Sequence, residues 1–161
     1  MFNTPETLLS LAEVAIALAG FSAVVVVMKR TTSGKWTRGD ADRFHGMAIH
    51  AVFAVLFCFL PTLINVLVQD PVGTMHVACA VLGVQIVGHC IGAMRLGSSG
   101  LVAKISLFVG VLFGLLQFTV FTDWGVQREL ELYIVGVLWH ILQAGILFVG
   151  LIWIAAERIE D

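Results

Sequence analysis

Charge is what this sequence has least of. Asp, Glu, Lys and Arg make up 12% of its 161 residues, whereas a soluble domain carries about 25%. Such a chain has too little polar surface to cover a water-soluble globule. The charges are also unevenly placed, and they leave five uncharged runs at 14–28, 44–69, 71–94, 105–122 and 132–156.

These uncharged runs predict five transmembrane helices, because about 20 residues at 1.5 Å each cross the hydrocarbon of a bilayer. The first run is short, so its helix must begin before Glu13 and carry this carboxylate into the membrane. We therefore expect an all-α polytopic membrane protein, with a bundle of five transmembrane helices in a single domain over 1–161. The helices are expected at about 5–29, 38–68, 71–95, 100–122 and 129–156.

Other features are missing as well, and each absence argues against a class of protein. Residues 1–6 contain no Lys or Arg, so they do not form the positive n-region of a secretory signal. The three cysteines have no metal-ligand spacing. No HExxH motif, nucleophile elbow or phosphate-binding loop supports an enzyme. The basic loop is short and predicts anionic lipid, not nucleic acid, as its partner.

The positive charges predict how the helices are oriented. Eight of the nine Lys and Arg residues fall on one side of the predicted helices, and only Arg128 falls on the other. The eight are Lys29, Arg30, Lys35, Arg38, Arg43, Arg95, Lys104 and Arg158. The positive-inside rule makes their side cytoplasmic. We therefore expect the N-terminus outside and the C-terminus inside.

Short motifs occur in the first quarter of the chain: Ala12-Glu13, the run ALAGFS at 17–22, Trp36-Thr37 and the run DRF at 42–44. With these motifs the chain resembles a group of uncharacterised small bacterial multi-pass membrane proteins. The resemblance implies a protein of the bacterial inner membrane. It transfers no activity, ligand or site.

Polar side chains within the predicted helices are the candidate site residues, because an ionisable group at bilayer depth costs at least about 2.5 kcal/mol. Counted at 1.5 Å per residue from the nearest charged helix end, Glu13, Gln117 and His140 lie about 9 to 13 Å below the outer surface. Together with Gln85 and Gln143, they are predicted to form a path for protons or small cations. Two alternatives stay open for Glu13: a neutral acid bonded between helices, or a side chain reaching the outer interface.

The first helix has one distinct face. This face consists of residues at helical spacing: Glu6, Ser10, Glu13, Ala17 and Gly20. Its side chains are polar near the outer end of the helix and small further in. Small residues that allow helix backbones to approach closely form a stripe of their own on this helix: Ala12, Ala15, Ala19 and Ala23.

Small-residue spacings also occur on two later helices, at Gly88-x-x-x-Gly92 and Gly110-x-x-x-Gly114. They indicate tight packing, within one chain or between copies. A homo-oligomer, or a subunit of a larger membrane complex, is the expected assembly.

A second candidate pair is His50 and His89, each about 10 Å from the predicted cytoplasmic end of its helix. Two histidines at equal depth on neighbouring helices could bind b-type haem or another metal, or relay protons. Packing of two polar side chains is the plain alternative.

Three functions follow from these residues. The leading interpretation is an oligomeric channel or transport-type protein for protons or small cations. The second is a redox subunit that binds b-type haem between His50 and His89. The third is an accessory subunit of a membrane complex with no chemistry of its own.

The orientation can be tested with single cysteines introduced at Gly34, Gly125 and Ile159, after the three native cysteines are replaced by alanine. We expect an impermeant maleimide to label Gly34→Cys and Ile159→Cys only from the cytoplasmic side, and Gly125→Cys only from outside, because of the uneven positive charge. Labelling of Gly34→Cys and Gly125→Cys from the same side would contradict the five-helix topology.

Overall fold

The computed structural model describes residues 4–32, 37–95, 101–122 and 128–157. They form five α-helices: α1 Thr4–Thr32, α2 Arg38–Val68, α3 Pro71–Arg95, α4 Leu101–Leu116 and α5 Glu129–Glu157. A 3₁₀ turn, Gln117–Phe121, extends α4. No strand occurs in these ranges, so the all-α class and the five helices are confirmed. Each helix, α4 with its 3₁₀ turn included, is long and apolar enough to cross a membrane.

Local hydrogen bonds mark where two of the helices begin. At the start of α2, the Thr37 amide and hydroxyl donate to Asp40 Oδ2 at 3.0 and 2.7 Å, and the Asp40 amide donates to Thr37 Oγ1. This is a capping box with Asp in place of Glu. Before α3, Asp70 Oδ2 accepts from the Gly73 amide at 2.8 Å. Thr-x-x-Asp and Asp-Pro are both sequence patterns typical of helix N-termini.

The fourth helix ends earlier than expected. The predicted helix over 100–122 is an α-helix only to Leu116, and the 3₁₀ turn follows. The Thr119 and Thr122 hydroxyls donate to the carbonyls of Leu116 and Thr119, three residues back in each case. Such local side-chain bonds compete with the regular helix ladder, and an apolar run does not reveal them.

The proline within α2 has a specific partner on α5. Pro61 has no amide hydrogen, so it leaves the carbonyl of residue 57 without its helical donor. The Tyr133 hydroxyl donates to this Phe57 carbonyl at 2.6 Å. The Tyr133 side chain is 0% exposed. A buried carbonyl that lacks its helical donor is costly unless another group bonds it, and the Tyr133 hydroxyl is that group.

The helices form two compact units, which we describe separately. The first is built on Phe57–Trp139, and the second on Pro5–Leu56 with His140–Asp161. The chain of α2 and that of α5 each continue from one unit into the other.

Glycine contacts hold the helices of the first unit at close range. A Cβ at Gly83 of α3 would lie 2.8 Å from the Gly114 carbonyl oxygen of α4. A Cβ at Gly110 would lie 2.5 Å from the Trp139 ring of α5. The packing role expected for the Gly110 and Gly114 spacing is therefore confirmed within the chain. Gly88 and Gly92 differ, because a Cβ at either would meet nothing within 4 Å.

The second unit has a small apolar core of Met47 and Ala51 from α2 and Ala144 from α5. Partly buried side chains packed against this core include Leu18, Ala19, Phe44, Leu147 and Phe148. Helix α1 buries Ala12 and Ala15. Its opposite face is exposed.

The glycine contact between α3 and α4 predicts a position-specific effect of a single methyl group. Gly83→Ala should lower the free energy of unfolding by about 1–3 kcal/mol, because the added methyl must displace backbone. Gly88→Ala, on the same helix, is the matched control and should not destabilise the protein. The measurement is reversible unfolding in mixed micelles. Equal stability of the two variants would show that α3 and α4 do not approach at Gly83.

Candidate functional site

The second unit contains a pair of buried histidines that contact each other directly. His50 of α2 and His140 of α5 are 5% and 0% exposed. Their Nδ1 atoms lie 3.1 Å apart, within hydrogen-bond distance. The two ring centroids are 5.4 Å apart, with the rings tilted by 43°.

Antiparallel packing of α2 against α5 brings these two residues together. Gly46 of α2 lies against the Leu147 side chain of α5, and the Arg43 side chain lies against Gly150. In this register, residue numbers rise along one helix as they fall along the other. His50 and His140 are each three residues from the midpoints of their helices, at residues 53 and 143.

The surroundings of the pair are largely apolar. Phe53, one turn after His50, packs on the His140 ring with the centroids 5.7 Å apart. Met47, one turn before His50, and Ala144, one turn after His140, both belong to the buried apolar core. In such surroundings a polar group is costly unless it is hydrogen-bonded. The contact between the two rings is therefore a strong constraint on how α2 and α5 pack at this point.

The contact also defines the chemistry that the pair can perform. One Nδ1 must carry a hydrogen and the other must accept it. The two rings are then either neutral with complementary tautomers, or together hold one extra proton. Imidazole is the side chain that most readily gains and loses a proton near neutral pH. A hydrogen-bonded imidazole pair can therefore hold a proton and pass it from ring to ring.

This pairing corrects the two layers inferred from the sequence. His50 was assigned to an inner layer with His89, and His140 to an outer layer with Glu13 and Gln117. The count for His50 began at Arg43, which lies five residues inside α2. Counted from the actual helix ends, His50 lies about 18 Å and His140 about 16 Å along their helices, so both are close to the middle.

The other predicted site residues lie on α1, α3, the 3₁₀ turn and α5. Glu13 is exposed on α1, and Gln143 is buried one turn after His140. Gln117, Gln85 and His89 belong to the first unit. The proposed path through all of these residues and haem binding between His50 and His89 stay predictions.

Gln117 has a defined structural role in the first unit. Its side chain is 0% exposed, and its Nε2 donates to the Leu132 carbonyl of α5 at 2.7 Å. Its Oε1 is buried and accepts no hydrogen bond from the described residues. Gln117 thus links the 3₁₀ turn to α5 and leaves one acceptor for a small donor such as water.

One close contact between a histidine and a carboxylate in the first unit was not predicted from the sequence. His76 Nε2 of α3 lies 3.2 Å from Glu129 Oε1 at the start of α5. The Phe121 ring packs on His76 with the centroids 5.2 Å apart, and Cys79 Sγ donates to the Glu129 carbonyl. The available signal was position, because His76 and Glu129 both lie in the first two turns of helices that begin on the same predicted side.

No protein family, curated protein or solved structure in the comparisons matches this chain. The function of this chain is therefore inferred from the geometry of its own residues.

The energy of the histidine contact can be measured with a double-mutant cycle. His50→Ala and His140→Ala should each destabilise the protein, and their effects should be coupled by about 1 kcal/mol, because either change removes the same buried hydrogen bond. The measurement is the free energy of unfolding in mixed micelles. His45, exposed on α2, supplies the control cycle with His140, whose effects should add. Additive effects in both cycles would show that the rings do not interact.

Proposed function

We propose that this chain is a multi-pass protein of the bacterial inner membrane that conducts protons, with the His50–His140 pair as the relay. The observation that carries the proposal is the 3.1 Å contact between two buried Nδ1 atoms. The five long apolar helices support the membrane location. The concentration of Lys and Arg on one side supports the orientation, with the N-terminus outside.

A proton suits this pair better than a metal ion or a hard cation. A zinc site takes three or four protein ligands, and no group of three His, Cys, Asp or Glu residues forms a metal site in the described part of the chain. Hard cations such as Mg²⁺ and Ca²⁺ prefer oxygen ligands. Two imidazole nitrogens at hydrogen-bond distance have the geometry that proton transfer needs.

The relay can be written with every proton accounted for. Neutral His50 carries its hydrogen on Nδ1, and neutral His140 carries its hydrogen on Nε2. A proton that arrives at His50 Nε2 makes an imidazolium. The Nδ1 proton of His50 then crosses to His140 Nδ1, and His140 releases the proton on its own Nε2. One proton has entered and one has left, and both tautomers are reversed.

Other titratable residues of the second unit lie at the start of α2 and on α1. Arg38, Asp40, Asp42, Arg43 and His45 lie in the first two turns of α2, and Glu6 and Glu13 are exposed on α1. Phe53 and the apolar core lie closer to the rings. Direct contacts of the pair include the ring-to-ring hydrogen bond and the Phe53 ring.

Proton flux in proteoliposomes under an imposed pH gradient tests the proposal. His50→Gln and His140→Gln should each lower the flux by about 100-fold or more, because glutamine forms hydrogen bonds but does not ionise. His45→Gln should conduct like the wild type. Wild-type flux in both relay variants would overturn the proposal.

Two further readouts separate the remaining interpretations. Wild-type protein that conducts neither protons nor common cations would favour an accessory subunit. A Soret band that is lost in both His50→Gln and His89→Gln would favour the haem-binding subunit.

A further inference from the structure

The exposed face of α1 carries a stripe with heptad spacing. Seven residues follow one another at alternating intervals of four and three positions, and all are exposed. They are Glu6, Ser10, Glu13, Ala17, Gly20, Val24 and Val27. We call them the α1 stripe. A repeat of 3.5 residues keeps such a stripe facing a partner helix in a left-handed pair.

The α1 stripe lies opposite the face that α1 buries in its own unit. Leu8, Ala12, Ala15 and Ser22 are at most 6% exposed. At 100° per residue, these positions lie on the side of the helix away from Glu13 and Gly20. The stripe is therefore available to a second molecule.

Glu13 is the residue in the stripe that most needs a partner. It lies seven residues into the candidate membrane span Glu6–Val27, which is about 10 Å from its end. Within the part of the chain that the structure describes, its carboxyl group makes no hydrogen bond or ion pair. Ionisable residues at membrane depth almost always face protein or water, because lipid offers them no partner.

The chemistry of the stripe favours a second copy of this chain as the occupant. A protonated carboxyl group both donates and accepts a hydrogen bond, and so does the Ser10 hydroxyl. Each of these groups can therefore pair with its own counterpart. The stripe contains no Lys, Arg or His.

The shape of the stripe favours the same occupant. Gly20 has open space where a side chain would begin, and Ala17 adds only a methyl group. Two such surfaces can bring their backbones close together. Copies inserted in the same orientation also place Glu13 level with Glu13 and Gly20 level with Gly20.

We propose that α1 pairs in parallel with α1 of a second copy along the α1 stripe, with the two Glu13 carboxyl groups hydrogen-bonded to each other. At least one of the two carboxyl groups then carries a proton, since two adjacent carboxylates repel each other. This inference rests on the membrane-spanning part of the proposed function and not on the histidine relay.

The test is the monomer–dimer equilibrium of donor- and acceptor-labelled protein, measured by energy transfer in phosphatidylcholine–phosphatidylglycerol vesicles at several protein-to-lipid ratios. Gly20→Leu should abolish the dimer, because the side chain separates the two helices. Ala23→Leu is the matched control: Ala23 is exposed but lies off the stripe, so the dimer should persist. A monomeric wild type, or equal loss in both variants, would overturn the proposal.

Variants of Glu13 test the hydrogen bond itself. Glu13→Gln keeps a group that both donates and accepts, so the dimer should remain. Glu13→Leu should weaken the dimer by roughly 5- to 30-fold, the range expected for an interhelical hydrogen bond in a membrane. Dimers of equal strength in both variants would remove the role of Glu13.

Proton flux is measured on the same vesicles, so that failure of this inference and failure of the relay can be told apart. A monomer that conducts protons would overturn the dimer and leave the relay intact. A dimer formed along the stripe without proton flux would support the interface and overturn the relay.

Discussion

Polar groups that cannot reach water must find partners inside the protein, and α5 supplies several of these partners. In the first unit, Tyr133 donates to the Phe57 carbonyl of α2, and Leu132 accepts from Gln117. In the second unit, His140 bonds to His50. Because unpaired polar groups are so costly in an apolar surrounding, these bonds determine which face of α5 lies inward at each level.

These hydrogen bonds differ in whether the groups that form them can also transfer a proton. The Tyr133 hydroxyl has one hydrogen, and the Phe57 carbonyl uses it. The Gln117 amide is fixed on a backbone carbonyl and does not ionise. The histidine pair joins two imidazoles, the side-chain type whose unperturbed pKa lies closest to neutral pH. This difference is why the proposed activity rests on His50 and His140.

Sequence patterns predicted the helices well because the relevant signals are local. Uncharged runs predicted the five helices, and the patterns at Thr37 and Asp70 are typical of helix starts. The pairing of His50 with His140 was not predictable in this way. Counting residues gives a position along one helix, but it gives neither the rotation of the helix nor the identity of its neighbour. Both histidines lie close to the middle, so errors of a few residues were enough to separate them.

Residue counting also does not determine whether Glu13 points into the chain or toward the surface. Helix length correctly predicted that this carboxylate lies on a long apolar helix, and the spacing of Ser10, Ala17 and Gly20 correctly predicted a common face. Whether this face points into the chain depends on which alanines pack against α2 and α5. Ala19 packs against the core of α2 and α5, Ala12 and Ala15 are buried as well, and the polar face is therefore left at the surface.

The hydrogen bond between Tyr133 and the Phe57 carbonyl links residues 61 and 133, because both residues decide which donor that carbonyl has. Proline at 61 creates the need for a donor, and the hydroxyl at 133 meets it. A chain with an ordinary residue at 61 would restore the helical amide and would have no use for the hydroxyl. During divergence of this protein, the proline and the tyrosine are therefore expected to be gained and lost together, and a phenylalanine at 133 should accompany the loss of the proline.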